Sequence, residues 1–172
     1  MVARATDPAT ARYWRALDGV SDPEIPVLSV VDLGVVRDIR VDAAGDVAVE
    51  ITPTYSGCPA MSEMASGIVQ ALRRAGAATV HVRTVYSPAW TTDWIAPDAR
   101  ERLRAFGIAP PGAASAAEHP TLTQLRRRPL TVPCPFCGSQ STEERSHFGS
   151  TACKSIHFCN GCRQPFEHFK AI

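Results

Sequence analysis

The chain has 172 residues, a length that suits one small domain with a smaller module attached. Apolar residues make up 45% and charged residues 20%, which is typical of a folded globular protein. A net charge of +1 gives no overall attraction to nucleic acid or to an anionic membrane. No apolar segment reaches the length of a membrane span, and the start of the chain lacks a signal-peptide core, so we expect a cytoplasmic protein.

The first 108 residues predict a small α+β domain. Apolar residues at helical spacing indicate a first helix over about 8–18. Two strand-like stretches flank the turn "DAAGD" and predict an antiparallel hairpin. In its second strand, Val47, Val49 and Ile51 alternate and share one face, which is expected to be buried.

A strand–helix–strand unit follows in the predicted order. The second helix begins after Cys58, and the next strand covers 79–86. Such a unit places its two strands parallel through a right-handed crossover. Pro97 suits the first turn of a last helix, in which Leu103 and Phe106 are predicted to be buried. The expected fold is therefore a small mixed β-sheet with helices packed on it.

Residues 109–130 differ in composition from the rest of the chain. They are rich in proline, alanine, glycine and serine, which predicts a linker between a domain over 1–108 and a second domain over 131–172. The linker contains "RRR", and residues 121–172 hold seven basic and three acidic side chains, a net charge of +4. Basic and aromatic residues do not interleave there, so the sequence favours a solvated linker over nucleic-acid binding.

Four cysteines near the C-terminus have the spacing of a metal site. "CPFCGS" and "CNGCRQ" form two C-x2-C pairs separated by 21 residues. Two residues between thiols allow a tight turn to aim both sulfurs at one ion, and two such turns complete a tetrahedral site. The ligands predicted for a zinc ion are Cys134, Cys137, Cys159 and Cys162. The residues between them suit short strands, which predicts a zinc ribbon.

Two alternatives to zinc use the same residues. A rubredoxin-like iron site shares the four ligands, and disulfides would need an oxidising compartment. A module of about forty residues buries little apolar surface, so the ion is expected to decide whether it folds. Cys153 lies outside the set; it is either a small buried residue or a further thiol, and the sequence does not assign its role.

A sixth cysteine, Cys58, stands alone in "PTYSGCPAMSEM". Because Pro59 suits the first position of a helix, Cys58 is predicted at the N-cap of the second helix. Unpaired amides and the positive end of the helix dipole would then make its thiol more acidic than a free cysteine. The alternative is a small cap residue with a buried thiol and no chemistry.

Several polar side chains are predicted near Cys58. Candidate helpers are Asp22 and Glu24 in "SDPEIP" and Asp93 in "AWTTDW", because all lie at predicted ends of strands or starts of helices. "TPTYSG" adds two threonines and a tyrosine. Each carboxylate, taken singly, is also typical of a solvated loop or a helix cap. That these loops converge near Cys58 is therefore an expectation from their predicted positions.

Three stretches resemble the small α/β domain of iron–sulfur assembly factors, the SufT-like or MIP-type family. They are "DPEIPVLSVVDLGVVRDIRV", "ITPTYSGCPA" and "VYSPAWTTDWIAPDARERLRAFGI", and the match covers about residues 10–108. They carry an Asp-Pro-Glu turn, an Asp-Leu-Gly before the hairpin and a Thr-x5-Cys-Pro loop. With the ribbon "CPFCGS…FGSTACKSIHFCNGCRQPFEHFK", the whole chain resembles the PaaD (PaaJ) family of accessory proteins in the bacterial phenylacetate pathway.

The resemblance implies a function that spacing alone does not. That family is encoded with a multicomponent di-iron oxygenase that epoxidises phenylacetyl-CoA, and with a reductase that carries flavin and an iron–sulfur cluster. The resemblance implies a maturation factor for one of these metal centres, with oxygenase or reductase subunits as partners and no catalysis of its own. The family's reactive cysteine corresponds to Cys58, which would hold iron or an iron–sulfur cluster transiently, and its acidic turn corresponds to Asp22 and Glu24.

Other hypotheses stay open at the level of sequence. The chain could instead be a stable, non-catalytic interaction subunit of the oxygenase–reductase complex, in which only the ribbon zinc matters. A thiol enzyme with Cys58 as nucleophile lacks a recognisable His or Asn partner. A homodimer would bring two Cys58 thiols together to bridge a cluster, but the sequence does not specify the oligomeric state.

Overall fold

The computed structural model describes residues 8–55, 57–112 and 131–172. The chain forms two compact units, Met1–Ala99 and Arg100–Ile172, which we call the first and the second unit. Most of the predicted linker, residues 113–130 with its three arginines, lies outside the described residues. The domain boundaries predicted at 108 and 130 therefore stay a prediction.

The first unit has the predicted order of elements. Helix α1 (Pro8–Leu17) is followed by strands β1 (Val36–Val41) and β2 (Val47–Ile51), helix α2 (Met61–Arg74) and strand β3 (Val80–Thr84). A short 3-10 helix, Thr92–Trp94, precedes helix α3 (Pro97–Ala105), which continues into the second unit. Strand β2 lies in the middle of the sheet, antiparallel to β1 and parallel to β3, so the mixed sheet is confirmed.

The core of the first unit lies between this sheet and the two helices. In β2, Val47, Val49 and Ile51 are buried, as their alternation predicts, and each pairs with a β3 residue on the same face. Helix α2 packs against α1 and β3, and α1 also packs against β1. The helices contribute their buried residues at helical spacing: Tyr13, Trp14 and Leu17 from α1, and Met64, Ile68, Ala71 and Leu72 from α2.

The loop before β1 is fixed by contacts with the segment around the 3-10 helix. The Trp90 indole donates a hydrogen bond to the Leu33 carbonyl at 2.9 Å. Gly34 has a φ of 67°, and a Cβ atom there would lie 2.7 Å from Cβ of Trp94, so only glycine fits. Arg37 sits at a bulge in β1, and its guanidinium stacks 3.4 Å from the centre of the Trp94 ring.

The second unit contains the predicted ribbon with one additional strand. Strands β5 (Thr142–Ser146), β6 (Lys154–Cys159) and β7 (Pro165–Phe169) pair antiparallel in sequence order. A two-residue strand, β4 (Ile108–Ala109), adds to β7 in parallel, so the sheet order is β4-β7-β6-β5. No sequence pattern predicts β4, because two residues are too short for a detectable alternation.

One core prediction for α3 is wrong. Leu103 is fully buried as expected, but Phe106 is 50% exposed. The helix ends at Ala105, and the chain turns through Gly107, which has a φ of 92°, to enter β4. Phe106 therefore lies beyond the helix and off its buried face.

Among the helices in the described part of the chain, none combines the length and the apolar composition of a membrane span.

Candidate functional site

The Cys58 loop joins the end of β2 to the start of α2. Its backbone is closed by two hydrogen bonds: the Cys58 amide donates to the Tyr55 carbonyl at 3.1 Å, and the Met61 amide donates to the Cys58 carbonyl at 3.4 Å. The N-cap of α2 is Ala60, with no side-chain capping bond. The prediction of Cys58 as the N-cap is therefore wrong, because the turn after Pro59 delays the helix by two residues.

The Cys58 thiol is half-buried and accepts several hydrogen bonds. The amides of Ala60 and Met61 and the side chain of Thr54 bond to it, and each acts to lower its pKa. Burial acts in the opposite direction and is the largest effect, and the Asp22 carboxylate adds to it, so the pKa of Cys58 is raised above its ordinary value. The predicted acidic thiol is thus wrong: desolvation and a neighbouring negative charge outweigh the helix-end amides.

Asp22 is the acidic residue that the structure brings to the thiol. It is 6% exposed, and its Oδ1 accepts hydrogen bonds from the amides of Glu24 at 2.6 Å and Ile25 at 2.9 Å. The Asp-Pro-Glu turn is therefore built by the Asp22 side chain itself, in the manner of an Asx turn. This capping fixes the carboxylate where it acts on the pKa of Cys58.

The other two predicted helpers lie elsewhere in their loops. Glu24 and Asp93 are exposed, and neither is among the groups that set the pKa of Cys58. Asp93 belongs to the 3-10 helix, where its amide donates to Oγ1 of Thr91 at 3.4 Å. Their role as ligands stays a prediction.

Two threonines before Cys58 belong to the same loop. Thr54 is buried and bonds the thiol, as described above. Thr52 is 2% exposed, and its hydroxyl has no hydrogen-bond partner among the described residues. The sequence does not indicate which of the two threonines bonds the thiol, because the tertiary fold decides which hydroxyl reaches the sulfur.

The second site is the cluster of Cys134, Cys137, Cys159 and Cys162. Their four sulfur atoms all lie within 4.8 Å of one another. Sγ of Cys134 lies 3.7 Å from Sγ of Cys162, and Sγ of Cys137 lies 3.6 Å from Sγ of Cys159. A zinc ion about 2.3 Å from each of four tetrahedral sulfurs would hold them about 3.8 Å apart, so the cluster fits a closed zinc site.

Each pair of ligands is held in a short turn, which we call a knuckle: residues 134–139 and residues 159–164. In the second knuckle, the Cys162 amide donates to Sγ of Cys159 at 3.4 Å. That bond, with others from the Cys137 and Cys162 thiols and the Gly161 amide, holds the pKa of Cys159 below its ordinary value, whereas burial and the neighbouring thiols raise the pKa of Cys162. A bound zinc ion would hold all four as thiolates. Bound zinc would supply a structural cross-link, because four thiolates leave no open position.

Cys153 does not join either site. It is half-buried, and its sulfur lies 3.1 Å from Oγ1 of Thr151 in the turn before β6. It is not a member of the four-cysteine cluster. No chemistry is assigned to this thiol.

Family models match both halves of the chain. Residues 11–85 match a model described as an iron–sulfur cluster assembly protein, and residues 118–170 match a model described as the PaaD zinc beta ribbon domain. A solved structure from Bacillus anthracis, titled a domain of unknown function, DUF59, is 25% identical. It aligns with a TM-score of 0.52 over 55% of this chain and 91% of its own.

Two curated relatives agree with these models. A protein of Porphyromonas gingivalis named Fe-S protein maturation auxiliary factor is 34% identical over 92 residues, which cover 52% of this chain and 85% of that protein. An Escherichia coli K12 protein, provisionally named as one of the subunits of 1,2-phenylacetyl-CoA epoxidase, is 44% identical over 171 residues, 99% of this chain and 98% of that protein. With both parts present in order and matched over nearly the full length, the chain belongs to the PaaD family, in which an iron–sulfur assembly domain precedes a zinc ribbon.

Proposed function

We propose that the protein is an accessory factor that matures a metal centre of a phenylacetyl-CoA epoxidase. In this proposal Cys58 takes up iron or an iron–sulfur cluster as cargo and passes it to an oxygenase or reductase subunit. The names of the relatives support the two halves of the proposal: one is named a maturation auxiliary factor for iron–sulfur proteins, and the other is provisionally named an epoxidase subunit.

The observation that carries the proposal is the buried Asp22 carboxylate, which lies close enough to the half-buried Cys58 thiol to add to the effect of burial on its pKa. A carboxylate beside a thiol disfavours the thiolate, which is why Asp22 raises the pKa of Cys58. An iron cation would reverse this balance, because it would neutralise both groups and take both as ligands. The same two groups that repel one another in the metal-free protein would therefore cooperate when the cargo binds.

The rest of the loop suits transient binding. One thiol and one carboxylate leave most of the coordination sphere of an iron ion to other ligands, so a client can displace the protein ligands. Hydrogen bonds from Thr54 and from the amides of Ala60 and Met61 stabilise negative charge on the sulfur and hold it in one orientation. The zinc thiolates of the ribbon, in contrast, form a closed set that is unsuited to delivery.

Metal content per chain tests the proposal. Full-length protein, prepared without air and incubated with ferrous iron and sulfide, is compared with the Cys58→Ser variant. We expect one zinc in both proteins and iron in the wild type alone; Cys153→Ser is the matched control and should keep its iron. Equal iron in wild type and Cys58→Ser, or iron in neither, would refute transient binding at Cys58.

The consequence for the client is measured in a second assay. Epoxidase subunits produced with Cys58→Ser should contain less iron than subunits produced with the wild type or with Cys153→Ser. Asp22→Asn should give an intermediate loading, because an amide can still cap the turn but cannot neutralise the cation. A homodimer that shares one cluster between two Cys58 thiols would show one cluster for two chains.

A second candidate function is a stable interaction subunit of the epoxidase complex. The whole-length similarity to a protein provisionally named as an epoxidase subunit supports it. This function predicts stoichiometric co-purification with the other subunits, and Cys58→Ser would then behave as the wild type does. The two assays together separate a carrier, which depends on Cys58, from a structural component of the complex, which does not.

A further inference from the structure

The two knuckles of the ribbon have matching backbones. In the first, the Cys134 amide donates to the Ser139 carbonyl at 3.0 Å. In the second, the Cys159 amide donates to the Gln164 carbonyl, also at 3.0 Å. Each bond joins the first cysteine of a knuckle to the residue five positions later, so both turns close in the same way.

The residue after the second cysteine of each knuckle has the same conformation. The Gly138 amide donates to the Cys134 carbonyl at 2.9 Å, and the Arg163 amide donates to the Cys159 carbonyl at 2.9 Å. Both residues are in the left-handed region, with φ of 73° at Gly138 and 64° at Arg163. Glycine adopts this conformation without strain, whereas an arginine there is strained by its Cβ atom.

Arg163 is the one non-glycine residue with positive φ in the described part of the chain. The backbone of the knuckle would form with glycine, as the first knuckle demonstrates. Strain retained at a position where an unstrained residue is available points to a role for the side chain. The surroundings of the guanidinium indicate what that role is.

The Arg163 guanidinium lies on the face of an aromatic ring. Its central carbon is 5.1 Å from the centre of the Phe158 ring, and that of Arg145 is 5.3 Å from the same centre. Arg145 forms an ion pair with Glu143 at 2.6 Å, so its charge is compensated. Arg163 is exposed and forms no ion pair with any residue that the structure describes. The ring therefore positions a guanidinium whose hydrogen-bond donors face solvent.

We propose that a cluster formed by Arg163 and the Phe158 ring docks a carboxylate-bearing surface segment of a partner protein. A planar guanidinium binds a carboxylate through two parallel hydrogen bonds, and the half-buried Phe158 ring beside it offers apolar contact. The identity of the partner as an epoxidase subunit rests on the proposed function above. The cluster complements an acidic side chain next to an apolar one.

A nucleic acid fits this surface less well than a protein. Glu143 and Glu144 are exposed on β5 next to Arg145, so the cations near Phe158 do not form the continuous basic track that a phosphate backbone needs. One uncompensated arginine matches a single carboxylate and not a track of phosphates. The cluster is thus suited to a local acidic contact within a larger protein interface.

Substitutions at Arg163 separate a structural role from a docking role, because the two predict changes of opposite sign. Arg163→Gly removes the strain and should raise the unfolding temperature of the ribbon by about 4 °C or more, yet weaken association about tenfold or more. Arg163→Lys keeps the charge and the strain but loses the paired donors, so it should weaken binding without stabilising. Lys170→Ala removes a ribbon cation outside the cluster and serves as the control.

The experiment measures binding of the zinc-loaded, full-length protein to each purified epoxidase subunit at low and at high salt. The wild type and Cys58→Ser should bind one subunit equally, and Arg163→Gly should bind weakly with a reduced dependence on salt. Arg163→Gly with wild-type affinity would overturn the docking proposal and leave cargo binding at Cys58 untouched. Two other results would also overturn the docking proposal: single-stranded oligonucleotide binding that depends on Arg163, and wild-type protein that binds no epoxidase subunit. The second result would also remove the epoxidase from the proposed function. Metal content would still test cargo binding at Cys58.

Discussion

Each of the two units of this protein is stabilised in a different way. The first unit buries a large apolar set, with Tyr13, Leu17, Ile68 and Leu72 fully enclosed by two helices and a sheet. A buried cluster of the ribbon, in contrast, has two cysteines among its five buried members: Ala109, Val132, Cys134, Cys159 and Phe166. Residues of the ribbon core therefore also serve as metal ligands, so the free energy of zinc binding would contribute directly to the free energy of folding of the ribbon. We therefore expect the first unit to fold on its apolar core without a metal ion.

Metal removal should produce the largest difference between the units. A structural zinc site contributes about 10–16 kcal/mol to folding in comparable small modules, more than a ribbon of this size can replace by burial. Complete chelation should therefore unfold residues 131–172 and leave the first unit folded. Amide hydrogen exchange, followed segment by segment, measures both effects in one sample.

Two cysteine variants control for this test. Cys137→Ser should behave like the chelated protein, because it removes a zinc ligand, while Cys153→Ser should keep a protected ribbon. If the ribbon amides remain protected after all metal is removed, its core alone suffices and the contrast between the units is wrong.

A second difference concerns acid, because the ribbon buries histidines. His168 on β7 is 8% exposed, and Oγ of Ser155 lies 3.4 Å from its Nδ1. Burial, followed by repulsion from the neighbouring His157, lowers the pKa of His168 from 6.5 to about 4. The folded ribbon therefore holds a neutral imidazole that the unfolded chain would protonate more readily.

The direction of the pH effect follows from this depressed pKa. The contribution of neutral His168 is complete above pH 6.5 and is lost as the pH falls from 6.5 toward 4, by about 3 kcal/mol at most. Urea unfolding of the zinc-loaded protein at several pH values measures the loss. His168→Gln should flatten the dependence, whereas His147→Gln, at an exposed position on the same ribbon, should not change it. An equal slope in wild type and His168→Gln would contradict the assignment.

What the sequence could predict depended on how local the signal was. The four ribbon cysteines were identified because two residues between thiols encode the turn itself. The strand–helix–strand unit followed from periodicity, as in the alternation of Val47, Val49 and Ile51. The alternation of apolar residues gave no hint of β4, which depends on β7 almost sixty residues later.

The environment of Cys58 was the part that the sequence could not supply. Its predicted acidity assumed that a helix end dominates, but the helix starts later, at Met61. Two effects raise the pKa of Cys58: burial of the thiol, which is the larger, and the charge of Asp22. Asp22 is distant in sequence and is brought near by the fold. Likewise, only the backbone conformation marks Arg163 as unusual, since an arginine after a cysteine carries no signal by itself.

The smallest and most specific effect is expected at Cys58, where two neighbours act on the thiol in opposite directions. Asp22 raises the pKa of Cys58 by repulsion, and the side chain of Thr54 lowers it by a hydrogen bond. Asp22→Asn should therefore lower this pKa while the amide oxygen still caps the Asp-Pro-Glu turn. Thr54→Val, which keeps the shape of the side chain, should raise it.

Alkylation of Cys58 by iodoacetamide across a range of pH measures both shifts, in a Cys153→Ser background and with zinc retained so that the four ribbon ligands are protected. At pH 8, Asp22→Asn should react several-fold faster than the wild type and Thr54→Val more slowly, because the thiolate is the reacting form. Iron binding should weaken in Asp22→Asn even though its thiol is more acidic. Faster alkylation together with weaker iron binding would show that the Asp22 carboxylate is a ligand of the cargo and does more than tune the thiol. If iron binding instead followed thiol acidity alone, Asp22 would have no place in the cargo site, and Cys58 would hold its metal without it.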